Sequence, residues 1–234
     1  MTLLPVPSTS TLSPTILLLE SGDRLSRAEF ERRYHAMPHL KKAELIEGVV
    51  YVPSPLRFEP HAEPHGNLIV WLGNYKVATP NVRLGDNPTV RLDMDNEPQP
   101  DVVLLIDAKA GGQSRLDEDE YIEGAPELVA EVAASSASID LHDKKRVYRR
   151  NGVQEYIVWR VLEKQLDWFS LEAGEYLPLE ANAAGVIKSR QFPGLWLSVA
   201  ALLSGDMVAV LATLQEGLQS AEHQEFVQTL KNKK

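Results

Sequence analysis

Two near-continuous apolar runs dominate the pattern of the chain. "PDVVLLI" and "APELVAEVA" read as central strands covered on both faces. Around them the spacing changes. Leu68, Trp71, Leu72 and Tyr75 in "HAEPHGNLIVWLGNYKVAT" recur at helical intervals and predict a helix. Ser26 followed by Glu29 forms a capping-box pattern, which predicts a helix over 27–36. "AELIEGVVYVPSP" predicts a hairpin: Glu44–Ile46, a turn at Glu47–Gly48, then Val49–Val52, stopped by Pro53 and Pro55. Further strands are expected near 81–85 and 89–92.

Between the two apolar runs, "GGQSRLDEDEYIEG" reads as a polar loop, with Asp117 to Glu120 solvated. "SASIDLHDKKRVYRRNG" reads as a helix that Gly152 ends. "QEYIVWRVLEKQLDWFSLEAGEYLPLE" reads as a pair of strands with a turn near Ala173–Gly174, and "VIKSRQFPGLWLS" leads out of the sheet. Residues 199–230 read as helical with a solvated tail. The class is α+β, a central mixed β-sheet flanked by helices.

The length of 234 residues allows one substantial core. The expected organisation is a loose Pro/Ser/Thr-rich arm over 1–22, a main domain over 23–204 and a C-terminal helical extension over 205–234. The absence of cysteine excludes disulfides, thiolate metal sites and a cysteine nucleophile, and fits a cytoplasmic protein. The apolar run Ile16–Leu19 is too short to span a membrane and follows no basic segment, so no membrane association is expected. A formal charge of -9 argues against a coat of positive charge for nucleic acid and leaves only a local basic patch for that purpose.

Two residues break the apolar runs. Asp101 opens the first, and Glu131 sits inside the second beside Val129 and Val132. An ionised carboxylate there is costly unless it is paired or binds a metal. Adjacent strands lie about 4.8 Å apart, so pairing of the two strands would let both acids share one divalent ion. Oxygen-only ligands suit Mg²⁺, or Mn²⁺ in its place, rather than zinc.

The helix that follows supplies a third group. On a wheel of about 100° per residue, Leu141, Val147 and Tyr148 define its apolar face, and Lys144 falls within that face. A lysine facing inward beside two acids can orient or deprotonate a metal-bound water, or stabilise charge on a phosphate. Lys145, Arg146, Arg149 and Arg150 lie on the solvated arc, where such charges usually meet only water. Beside this site they are weighed as phosphate ligands.

Glu44 in "AELIEG", His65 in "HGNLIVWL", Pro100–Asp101, Glu131–Val132, and then Asp140, Lys144 and Tyr148 ahead of "NGVQEY" resemble the Uma family over residues 25–200 or so. That family groups proposed restriction endonucleases of the PD-(D/E)XK nuclease superfamily. The resemblance implies a restriction-endonuclease-like sheet and metal ligands at Asp101 and Glu131, with the Val132 carbonyl as a further ligand. It implies that Lys144 is the catalytic lysine, supplied from a helix, and that Glu44 is the acid contributed ahead of the sheet. The chain departs from the wider pattern in three places. Ala133 stands where the superfamily has lysine, "AASSAS" replaces a Ser-Pro-Ser turn, and Arg160 follows the "EY" strand in place of an acid.

The expectation is a Mg²⁺-dependent endonuclease acting on DNA. By analogy with the superfamily it is a homodimer, and an unidentified partner protein is one source for the missing basic surface. The alternatives are a non-catalytic nucleic-acid- or protein-binding module that keeps the nuclease fold, and a hydrolase of small phosphoesters. Substrate or supporting contacts are expected at His65, Gln113, Tyr148, Lys145 and Arg149, with His61 a weaker candidate. The plainer readings make Asp101 a strand-end cap, Glu44 a hairpin surface residue, His65 a helix cap, and Trp168 and Trp196 core or interface residues.

Overall fold

The computed structural model describes residues 16–134 and 136–233. Helix α1 (Arg27–His35) precedes a hairpin of β1 (Glu44–Ile46) and β2 (Val49–Tyr51). A π-helical turn, Phe58–Ala62, runs directly into α2 (Glu63–Ala78). Pro64, in the first turn of α2, has no N–H to donate back into the preceding π-helical turn. Strands β3 (Val82–Asp86), β4 (Val90–Arg91), β5 (Val102–Ile106), β6 (Arg115–Leu116), β7 (Ile122–Glu123) and β8 (Leu128–Ala133) follow. The next helical segment joins α3 (Ala137–Ile139), a second π-helical turn (Asp140–Lys144) and α4 (Lys145–Asn151). Gly152 ends it at φ 87°, a left-handed conformation that glycine adopts without steric cost. Then come β9 (Glu155–Arg160), β10 (Gln165–Glu172), β11 (Glu175–Pro178), β12 (Val186–Lys188) and β13 (Trp196–Ser198). Helices α5 (Val199–Ser204), α6 (Met207–Leu218) and α7 (Ala221–Asn232) complete the described chain.

The central sheet has six strands in the order β11-β10-β9-β8-β5-β3. Only the β8–β9 pair is parallel, so the sheet is mixed and the fold is α+β. Alternate residues of its middle strands divide between two cores, as a two-residue side-chain period requires. Val102, Leu104, Ala130, Val132, Ile157 and Trp159 face a cluster built with α2, α6 and α7. Val103, Leu105, Val129, Ala133, Tyr156 and Val158 face a second cluster with Tyr148. A third cluster, around Phe30, Leu45 and Val50, fastens α1 and the β1–β2 hairpin together.

Several elements differ from the sequence expectation. The polar stretch after β5 contains β6 and β7, which join β4 in a three-stranded sheet. Asp117 is mostly enclosed and pairs with Arg91, so the acidic run is not simply solvated. The predicted strand pair is three strands, because a turn at 161–164 separates β9 from β10. "VIKSRQFPGLWLS" closes on itself as a β12–β13 hairpin. The C-terminal helices are not an appendage: Val210, Leu214 and Leu230 belong to the first core, and Asn81 donates to the Leu230 carbonyl. Most of the expected arm, residues 1–15, lies outside the described residues, but Leu19 at its end is buried.

Candidate active site

Antiparallel pairing of β5 with β8 sets Val102 opposite Ala130. One step further in the same register brings Asp101 to Glu131. Both acids lie on the sheet face that Tyr148 covers, and both line a cavity of about 560 Å³. The other lining residues include Glu44 from β1, Asp140 and Lys144 from the second π-helical turn, and Lys42, Arg57 and His61. Each π-helical turn thus delivers site residues, His61 from one and Asp140 with Lys144 from the other. Such local widening of a helix is frequent at functional sites.

Lys144 is the hub. Its Nζ lies 2.9 Å from Glu44 Oε1, 3.0 Å from Glu131 Oε1 and 3.7 Å from Asp140 Oδ1. Among the described residues it is the one buried lysine or arginine. Burial favours its neutral form, but Glu131, Glu44 and Asp140 outweigh that and raise its pKa well above the ordinary value. Glu131 also accepts from Tyr148 OH at 2.9 Å. Its carboxyl is pushed up by burial, with Asp140, Asp101 and Glu44 adding repulsion that Lys144 only partly offsets. Glu44 is fixed by the Gln99 N–H at 2.8 Å. Asp140 is fixed by Ser136 Oγ at 2.6 Å.

Asp101 behaves differently. Its Oδ2 accepts from the Val132 N–H at 2.8 Å, with His61 Nε2 at 3.3 Å, while Lys42 Nζ lies 3.5 Å from Oδ1. Burial alone would raise its pKa, but His61, Lys42 and the Val132 N–H hold it below the carboxylate range.

The expected residues therefore divide. Asp101, Glu131, Val132, Lys144 and Glu44 meet at the cavity, with Tyr148 behind Glu131. His65 stands one turn beyond His61, its ring centroid 5.8 Å away. Gln113 turns aside, donating to the Gly152 carbonyl at 3.0 Å. The basic arc also points elsewhere. Lys145 Nζ sits 3.4 Å above the Phe169 ring, Arg146 and Arg150 pair with Glu47, and Arg149 pairs with Glu175. None of these four lines the cavity. Lys42 and Arg57 do, and sequence reasoning passed over both because no periodic pattern marks a loop cation. His61 had a readable signal, the four-residue spacing to His65 in "HAEPH".

Comparison with known proteins gives a family and a fold. The family model Uma2, described as "Putative restriction endonuclease", matches residues 27–200. The chain belongs to the Uma2 family. Every cavity residue named above falls within that match. One solved structure similar to this Uma2 chain is the crystal structure of a protein described as a "putative nuclease belonging to DUF820", from Anabaena variabilis. It shares 15% identity at a TM-score of 0.55, over 74% of this chain and 96% of that one, which is a likeness of fold. No curated protein matches. No helix among the described residues of this family member is long and apolar enough to cross a membrane.

Proposed function

We propose that the protein is a nuclease that uses a divalent cation to hydrolyse phosphodiester bonds in DNA. The observation that carries this reading is the convergence of Glu44, Asp101, Glu131 and Asp140 on one cavity where Lys144 is the enclosed cation. Four buried acids exceed what the ammonium groups of Lys144 and Lys42 neutralise, and a hard divalent ion fits such an oxygen-rich set. Asp101, Glu131 and the Val132 carbonyl would hold it, as Mg²⁺ or Mn²⁺. When bound, it supplies positive charge to the scissile phosphate and to the attacking water.

The chain's own groups define the rest. Lys144 keeps its proton, so it acts as a fixed positive charge and hydrogen-bond donor rather than as a base. Tyr148 orients Glu131, and Glu44 steadies Lys144. Lys42 and Arg57 on the cavity wall supply the phosphate contacts that the neutralised helix arc does not. A homodimer would place one such centre on each strand of a duplex.

Calorimetric titration of Mn²⁺ into the wild type and an Asp101→Ala/Glu131→Ala double variant, alongside cleavage of plasmid DNA, tests the reading. Binding and cleavage should both vanish in the double variant. Cleavage that persists in chelator, or a wild type that neither binds nor cleaves, would overturn it. Turnover of nitrophenyl phosphates with DNA untouched would reassign the site to small phosphoesters.

A further inference from the structure

The opposite side of Asp101 carries a second set of donors. His61 lies in the first π-helical turn and His65 in the first turn of α2, four residues on, so both rings project from one helical face. One nitrogen of each ring and one Asp101 oxygen all lie within 4.8 Å of one another. Donors bound to one ion at about 2.0–2.2 Å stand roughly 3–4 Å apart, so modest side-chain rotations close this triangle.

Hydrogen bonding leaves the imidazoles open. His61 is 9% exposed, lines the cavity, and its buried Nδ1 has no hydrogen-bond partner. His65 Nε2 lies 3.1 Å from Asp86 Oδ1 but without hydrogen-bond geometry, and it too is buried and unpartnered. Buried ring nitrogens are ordinarily satisfied. Two adjacent exceptions, both beside the buried Asp101 carboxylate, form a set of ligands missing their common partner.

We infer that His61, His65 and Asp101 form a nitrogen-bearing site for a first-row transition-metal dication, adjoining the acidic position and sharing Asp101 with it. Imidazole ligands favour Co²⁺, Zn²⁺ or Mn²⁺ over Mg²⁺, which prefers oxygen. The site stands apart from the nuclease reading, because it requires only that nitrogen donors hold the ion, whatever the protein then does with it.

Co²⁺ is the probe, since its visible absorption changes with the geometry and ligand set around the ion, and loss of the band in the histidine variants ties it to the imidazoles. The full chain should bind Co²⁺ with a visible band, and His61→Ala and His65→Ala should each weaken binding by more than about 100-fold, beyond the roughly 10–100-fold that loss of an outer partner costs. Glu131→Gln, which leaves all three donors in place, should retain the band. Selective ¹⁵N-histidine labelling of the wild type supplies a readout independent of variant folding: Zn²⁺ should shift two imidazoles that the variants assign to His61 and His65. Co²⁺ binding that both histidine variants keep, or Zn²⁺ that moves neither ring, overturns the site. Mg²⁺-dependent DNA cleavage by those same variants would then show the nuclease reading intact, whereas its absence in wild type would end that reading separately.

Discussion

Two buried glutamates on neighbouring strands make an instructive pair. Glu131 on β8 and Glu155 on β9 are both almost wholly enclosed. Glu155 is satisfied by immobile neutral donors: the Arg190 N–H at 2.6 Å, the Gln191 N–H at 2.9 Å, Ser189 Oγ at 2.8 Å and Trp168 Nε1 at 3.1 Å. It does not line the cavity that Glu131 faces, and it staples the β12–β13 region to the sheet. Glu131 has a lysine and a tyrosine for partners, three further acids nearby, and one edge on a cavity. Burial of a carboxylate is therefore no sign of function by itself. The sign lies in partners that are charged, shared and open to exchange.

Replacing each acid or its partner should separate the two sites. The largest effect is expected at Glu155→Ala, which strands four donors in the interior. Each buried orphan costs about 1–3 kcal/mol, so a loss of at least about 3–5 kcal/mol should appear in chemical denaturation, with Mn²⁺ affinity of the folded protein unchanged. A loss under about 1 kcal/mol, on the same scale, would erase the distinction.

Lys144→Ala should reduce cleavage by about 100-fold or more, the usual consequence of removing a donor aimed at developing charge. Its stability cost should be smaller than that of Glu155→Ala, because protonation of Glu131 or a bound cation replaces the lost charge. Undiminished cleavage would remove Lys144 from the mechanism.

The pH dependence sharpens the contrast. Burial, aided by Asp140, Asp101 and Glu44 against the pull of Lys144, raises the Glu131 pKa from 4.5 to about 8. The native state then holds a proton that the unfolded chain releases, so stability should fall as pH rises through that window in chelator. A tenfold difference in proton affinity between the folded and unfolded chain corresponds to about 1.4 kcal/mol. Saturating Mn²⁺ and Glu131→Gln should both flatten the curve. Glu155 is also raised by burial and contributes a slope of the same sign, which the cation should leave in place. Asp101 runs the other way: its lowered pKa adds stability that is lost only as pH falls below 3.8. A slope unaffected by Mn²⁺ would mean that the cation does not engage Glu131.

The smallest effect is expected at Arg149→Ala. Its partners are Glu175 and the Gly174 carbonyl, both away from the cavity, so cleavage should stay within about two-fold, as for exposed ion pairs generally. A large loss of DNA cleavage would return the helix arc to the substrate path.

Much of this was legible in the sequence because it is periodic. The two apolar runs, the hairpin ahead of α2 and the inward position of Lys144 all follow from which residues share a face over a few turns or a few strand residues. Asp101 and Glu131 were visible because each interrupts such a pattern. Glu155 interrupts one equally, yet the sequence does not distinguish it from Glu131. Only the fold brings Ser189, Arg190 and Gln191 across from another hairpin to satisfy it. The same holds for the basic arc, which the helical wheel presents as free and the fold neutralises through Glu47 and Glu175. It holds for Lys42 and His61, loop and helix-end residues that long-range packing sets against Asp101. Local spacing determines which face a side chain occupies. Which hydrogen-bonding and charge capacity remains unspent there depends on partners distant in sequence, and those only the tertiary structure supplies.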